Sequence, residues 1–239
     1  MQEDFNRAGY IVAPHVLNPN ALKRLTTLLE ALELERADHN RQGKTFAMRD
    51  IFAEEPELLR FASAPPLLDL ARLLAGHSAR PTKATYFDKR PEANWSLPLH
   101  QDMTITVHAK VDIPGYTHWS IKAGVPHVQP PVRVLEGIVA LRIHLDDCPA
   151  ENGALEVVPG SHLQGRISAE ELRMMHMEGR PVICPARAGD VLAMRPLLVH
   201  GSSKARVPKR RRVLHVEYAT TELDAPLQWP LWSRLHAPS

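Results

Sequence analysis

The sequence predicts a mainly β protein with flanking helices, built on a double-sheet jelly roll. From residue 81 onward, short β-branched and aromatic runs alternate with Gly and Pro punctuation. Strands are expected at 82–89, 99–107, 136–146, 154–158, 181–184, 190–195 and 211–219, a spacing that suits two packed sheets. Before residue 81 the leucines instead recur at helical intervals. With 239 residues, 44% of them hydrophobic, the chain can bury one substantial core, so a single domain over 1–239 is expected. Residues 1–80 would be mostly helical support and 81–220 the jelly-roll core.

Taken in order, Gly9 to Ala13 reads as a short strand. Asn18-Pro19 then offers a helix cap followed by proline at the first helical position. Leu22, Leu25, Leu29 and Leu32 form one helix face that runs to about Glu35. Residues 38–45 are polar and predict a loop. Two further helices are expected at 56–62 and 65–75, the second carrying Leu67, Leu70 and Leu74 on one side and closed by Gly76. All these leucines read as scaffold.

The net charge of +2 gives no global affinity for polyanions. Cys148 and Cys184 are too few for a disulfide framework, and no apolar run approaches a membrane span. The opening Met1-Gln2-Glu3-Asp4-Phe5-Asn6 lacks the basic and apolar regions of a signal peptide. A cytoplasmic, reduced protein that binds neither membrane nor nucleic acid is expected. The basic run Lys204, Arg206 and Lys209 to Arg212 raises the alternative of a nucleic-acid module, but it lacks interleaved aromatics for base stacking, and reads as a solvated loop face.

The chemistry gathers around Pro98-Leu99-His100-Gln101-Asp102-Met103-Thr104-Ile105. In an extended strand His100 and Asp102 project to the same side. One imidazole and one carboxylate supply two thirds of a 2-His-1-carboxylate facial triad for Fe(II), which leaves open positions opposite. The third ligand is expected at His200, where the run Pro196-Leu197-Leu198-Val199 ends and small residues permit close approach. Further along lie the turn Asn152-Gly153-Ala154-Leu155-Glu156-Val157-Val158-Pro159-Gly160-Ser161-His162 and, eleven residues past His200, Arg211.

Over about residues 80–220 these motifs and their order resemble the phytanoyl-CoA dioxygenase family of Fe(II)/2-oxoglutarate-dependent oxygenases. The resemblance implies a cupin-like double-stranded β-helix, with Fe(II) on His100, Asp102 and His200, 2-oxoglutarate as co-substrate and O2 as oxidant. It also implies that Arg211 grips the far carboxylate of 2-oxoglutarate, helped by the Ser202 hydroxyl. A guanidinium suits that task because it makes two parallel hydrogen bonds. On the strand Arg211 shares a polar face with Val213, His215 and Glu217, whereas Arg212 shares one with Leu214, Val216 and Tyr218. The Pro159-Gly160-Ser161-His162 turn is read as architectural, so His162 is not counted as a ligand. In halogenating relatives a small residue replaces the acid; here Asp102 is intact, which favours hydroxylation or another oxidation of a small molecule. The alternatives are a jelly-roll metal-binding protein without turnover and a basic binding module.

Residues 110–132 carry Gly and Pro punctuation without periodicity, directly after the metal-binding strand, and read as a lid loop. Trp119, His118 and His127 are its candidate substrate-facing groups. Arg142 stands where many family members carry tryptophan, and alternation puts it on one face with His144. Either both have structural partners or they line the cleft. In the second case Arg142 supplies a second anion site, and the substrate is a small molecule bearing a carboxylate or similar anion.

Overall fold

A computed structural model of the protein describes residues 1–39, 47–122 and 124–235. Helix α1 (Gln2–Ala8) turns at Gly9, whose φ of 80° is left-handed, into β1 (Tyr10–Ala13). Helix α2 (Pro19–His39) begins where the Asn18 carboxamide oxygen accepts the Ala21 N–H at 2.9 Å, the expected cap, and buries Leu25, Leu29 and Leu32. It runs past Glu35, so the expected loop at 38–45 begins as helix and otherwise lies outside the described residues. Strand β2 (Ala47–Arg49) and helices α3 (Ile51–Glu54), α4 (Pro56–Ala62) and α5 (Leu67–Ala75) follow. Leu67, Leu70 and Leu74 are buried, as their spacing required.

The β region comprises β3 (Arg80–Lys89), β4 (Leu97–His100), β5 (Ile105–Thr106), β6 (Thr117–Lys122) and β7 (Val125–Gln129). After the short helix α6 (Val132–Glu136) come β8 (Ile138–His144) and β9 (Leu155–Val157). Helix α7 (Ala169–Met177) starts on a capping box between Ser168 and Glu171. Strands β10 (Val182–Cys184), β11 (Val191–Met194), β12 (His200–Ser202) and β13 (Arg211–Ala219) precede α8 (Pro230–Leu235). No helix among the described residues is long and apolar enough to cross a membrane.

Antiparallel pairing builds a six-stranded sheet in the order β1-β11-β8-β13-β3-β2 and a four-stranded sheet β10-β9-β12-β4. Ala140, Leu192 and Met194 of the larger sheet meet Leu155, Val157 and Cys184 of the smaller one, which fixes the two as facing layers of a jelly roll. Helices cover the outer face of the larger sheet. There Leu214, Val216 and Tyr218 of β13 are buried, and the Tyr218 hydroxyl donates to the Ala62 carbonyl at 2.9 Å. The other face of β13 presents Arg211, Val213, His215 and Glu217 inward, so the strand is buried on both sides and polar on one.

Two expectations are corrected, and one strand was not expected. The strand expected at 99–107 is two strands with a break at 101–104, where the Asp102 N–H donates to the Pro196 carbonyl at 2.9 Å rather than to a ladder. The lid loop expected at 110–132 contains the hairpin of β6 and β7, joined to β5 in a third sheet. Its alternation is hidden because β6 is exposed on most positions and its pairing shifts between Thr117 and Ser120. Finally, β12 at the distal histidine is a strand too short for its composition to betray.

Candidate active site

His100 and His200 are opposite one another on β4 and β12, with ring centroids 4.3 Å apart. The break after β4 folds Asp102 back beside them, so one donor atom from each of the three lies within 4.8 Å of the others. Both imidazoles are held in the same way. Nδ1 of His100 is 2.9 Å from the Pro98 carbonyl, and Nδ1 of His200 is 2.9 Å from the Leu198 carbonyl. A carbonyl can only accept, so each Nδ1 carries a proton, and in the neutral imidazole this tautomer leaves the Nε2 lone pair for a metal. His200 Nε2 points at Asp102, 3.7 Å from its Oδ2. Two imidazole nitrogens and one carboxylate, converging with the outer ring nitrogens already satisfied, fit a divalent transition metal such as Fe(II).

Electrostatics favour the ligand forms. Burial pushes the His200 imidazole down to about 4, keeping it neutral at ordinary pH. Burial alone would raise the Asp102 carboxyl, but the His200 and His215 imidazoles and the Lys83 ammonium together hold it at about 2. Gln101, between the ligands, points the other way and is fully used. Its amide donates to the Gly165 and Leu197 carbonyls at 2.7 and 2.6 Å and accepts the Ile167 N–H at 2.9 Å. This pins the break that places Asp102.

These three side chains open into a cavity of about 380 Å³ between the two sheets. Arg211 enters it from β13, its guanidinium donating to the Gly153 carbonyl and lying 3.7 Å from Cys148 Sγ. Ser202 is beside it, and Lys89 Nζ is 3.3 Å from the Ser202 hydroxyl and 2.9 Å from the Trp95 carbonyl. Burial, then the neighbouring Arg211 and Arg142 charges, depress Lys89 to about 8. Arg142 lines the cavity too, with Nη1 3.2 Å from His215 Nδ1 and no partner for its buried Nε. Burial, then Arg211, lower it to about 10. His215 Nε2 lies 3.6 Å from Glu217, which binds Lys83 at 2.5 Å.

A model of the family described as phytanoyl-CoA dioxygenase (PhyH) matches residues 5–213. The chain belongs to the phytanoyl-CoA dioxygenase family. No curated protein sequence matches it. Among solved structures, EctD from S. alaskensis with bound Fe is 21% identical at TM-score 0.72, covering 94% of this chain and 78% of its own. SnoK, a non-heme alpha-ketoglutarate-dependent carbocyclase from nogalamycin biosynthesis, is 21% identical at TM-score 0.69, covering 99% and 89%. EvdMO1 is 24% identical at TM-score 0.67 over 91% of this chain; the chain spans about half of that protein, 48%. These likenesses show the fold. The phytanoyl-CoA dioxygenase family uses Fe(II), 2-oxoglutarate and O2, which makes this chain a member of an enzyme superfamily.

Family turn residues find physical roles here. The Asn152 carboxamide accepts the Lys209 N–H at 2.9 Å, and a Cβ on Gly153 would meet the Ser203 carbonyl oxygen at 2.8 Å, so only glycine lets this turn reach Arg211. Ser161 Oγ accepts the Val199 N–H at 2.9 Å and donates to the Val158 carbonyl at 2.7 Å, anchoring the chain before His200. His162 is absent from the cavity, its Nε2 3.1 Å from the Asn6 carbonyl under Gly9. Gly201, expected to admit a ligand, instead admits backbone: its Cβ would be 2.7 Å from the Leu97 carbonyl oxygen.

Not every candidate reaches the site. Trp119 packs against the main core with Lys110 Nζ 5.8 Å from its ring, and does not line the cavity. His118 is exposed at a φ of 53° beside Thr117. The hairpin's cavity residues are His127 and Lys122. His144 shares the Arg142 face, yet it is buried beyond the cavity with Nδ1 unpartnered, and burial drives it down to about 3. Sequence reading overlooked Lys83, Thr85, Phe87 and Lys89, although charges at both ends of a two-residue alternation along β3 were a usable signal.

Proposed function

We propose that the protein hydroxylates a small anionic molecule, consuming one 2-oxoglutarate and one O2 and releasing succinate and CO2. The observation carrying this reading is the complete donor set of His100, Asp102 and His200, with both outer imidazole nitrogens engaged. Bound there, Fe(II) would supply the activation of O2 for inserting one oxygen atom into a C–H bond, the other entering succinate. His100, Asp102 and His200 hold the metal. Arg211 and Ser202, joined by Lys89, take the far carboxylate of 2-oxoglutarate at the end of the cavity. A charge-assisted bond to a fixed guanidinium orients that ligand as well as binding it.

Arg142 holds the substrate anion. It stands opposite His215 on β8, away from the Arg211 end, and meets no carboxylate among the described residues. The cavity lies near the lower end of the roughly 300–1,000 Å³ range for small-molecule sites. Shared with 2-oxoglutarate, it favours a small substrate.

The test is succinate formation across a panel of small carboxylates and phosphates, with iron present or chelated. Stimulated, iron-dependent succinate release with oxygen from O2 in the product is expected. Absence of any iron-dependent 2-oxoglutarate consumption would overturn the reading. Arg142→Leu should lose substrate stimulation while still binding iron; lost 2-oxoglutarate binding would assign Arg142 to the co-substrate instead.

A further inference from the structure

Five cationic side chains line the cavity without a carboxylate partner among the described residues: Arg211, Lys89 and Arg142 inside it, and the exposed Arg49 and Lys122 at its mouth. Lys89 meets a carbonyl, a hydroxyl and the Trp95 ring, Arg142 an imidazole and the Phe87 ring, and Arg211 a carbonyl and a thiol. Two carboxylates stand against them. Glu217 is taken by Lys83, and Asp102 belongs to the metal ligands. The double charge of Fe(II) and that of 2-oxoglutarate cancel, so loading the site leaves the cationic excess in place. Like charges in an enclosed cleft repel, and a cleft lined by one sign concentrates the opposite ion.

Under the reading above, Arg211 and Lys89 contact the far carboxylate of 2-oxoglutarate, and Arg142 contacts one substrate anion. Arg49 and Lys122 remain. The sheet register places Arg49 opposite Thr85, Thr85 opposite His215 and His215 opposite Arg142, so Arg49 and Arg142 bracket one row across four strands. At about 4.8 Å per strand their backbones are roughly 14 Å apart, and both side chains reach into the space between. Lys122 enters from the β6 end on the same side as Lys83 and His127.

We propose that the prime substrate is a small dianion, with one anionic group on Arg142 inside the cavity and a second, a few bonds away, on Arg49 and Lys122 at the mouth. This rests on the oxygenase reading for the assignment of Arg211 to 2-oxoglutarate.

The test uses protein loaded with Mn(II) and saturating 2-oxoglutarate without oxygen. Linear α,ω-dicarboxylates, ω-phosphono acids of the same lengths and matching monocarboxylates are titrated by calorimetry. One length of dianion should bind at least tenfold tighter than its monoanion, and the tighter series names the anion at the mouth. The double variant R49Q/K122Q should reduce that advantage below threefold without weakening the monoanion. R142L should weaken both. Equal binding of monoanions and dianions, dianion binding only by displacing 2-oxoglutarate, or an unchanged advantage in the double variant would each overturn the inference and leave the oxygenase reading standing. An intact dianion preference without iron-dependent 2-oxoglutarate consumption would support the inference and overturn the oxygenase reading alone.

Discussion

Arg211 and Arg212 are neighbours on β13 whose guanidinium groups lie on opposite faces of one sheet. Arg211 enters the cavity beside Ser202, while Arg212 leaves it to make paired bonds to Asp146 at 2.9 and 2.7 Å and a third to Glu30 at 2.6 Å. The same charge therefore lines the cavity at one position and is tied into ion pairs at the next. Loss of one partner of a buried ion pair costs roughly 3–5 kcal/mol. Arg211→Ala should accordingly weaken 2-oxoglutarate binding about 100-fold or more. Arg212→Ala should leave that affinity near wild type and instead destabilise the fold by about 1.5–3 kcal/mol. Calorimetry and urea unfolding separate the two; the reverse pattern would move the co-substrate cation by one residue.

Iron binding distinguishes the two histidines that compete for the third ligand position. His200→Ala should reduce Fe(II) affinity by orders of magnitude, whereas His162→Ala, whose ring faces the Asn6 carbonyl, should bind iron like wild type. Equilibrium dialysis reads both, and an iron-deficient His162→Ala protein would refute the assignment.

Under the proposed reading, Lys89 should give co-substrate binding a pH dependence. Burial and two arginines hold its ammonium at about 8, so the group is charged below that pH and loses its proton above it. An anion bound beside it raises the value again. The affinity contributed by Lys89 is thus full below pH 8 and falls as pH rises through it, by up to about tenfold per unit. A Kd measured from pH 6.5 to 9.5 should show that fall in wild type and a flatter profile in Lys89→Gln. Identical profiles would remove Lys89 from the site.

Asp88 carries a different burden on the far face of β3. It is 2% exposed and accepts from Arg90 at 2.6 Å and from Arg210 at 3.0 Å. Burial would raise its carboxyl, but those bonds outweigh it and hold it below the usual range. A depressed carboxyl stabilises above its unfolded value near 3.9, and that stability is lost as pH falls through the folded one. Glu33, raised chiefly by burial, works in the opposite sense. Asp88→Ala should cost about 2 kcal/mol, below the roughly 3–5 for a fully buried pair, because Arg90 and Arg210 keep Glu33. Urea unfolding at pH 7 checks it, and an unchanged midpoint would deny the cluster its structural role.

Local information determined much of this protein. Leucine spacing and the Asn18-Pro19 cap placed α2 and α5, because helix faces and caps depend on residues three or four apart. Strand alternation sent Arg211 inward and Arg212 outward, because successive side chains must diverge. The order of the motifs pointed to the family. Only tertiary structure decided the rest. His100 and Asp102 converge through a break held by Gln101 and Pro196, not through the strand that their spacing suggested. Trp119 and His144 are both polar-tipped candidates in the sequence, yet one packs on the core and the other is buried outside the cavity lining. Lys89 and Arg49 reach the cavity because β3 and β2 pair beside β13. Which strands become neighbours depends on burying the two sheets and the helix layer together, a global minimum that no local window of residues encodes.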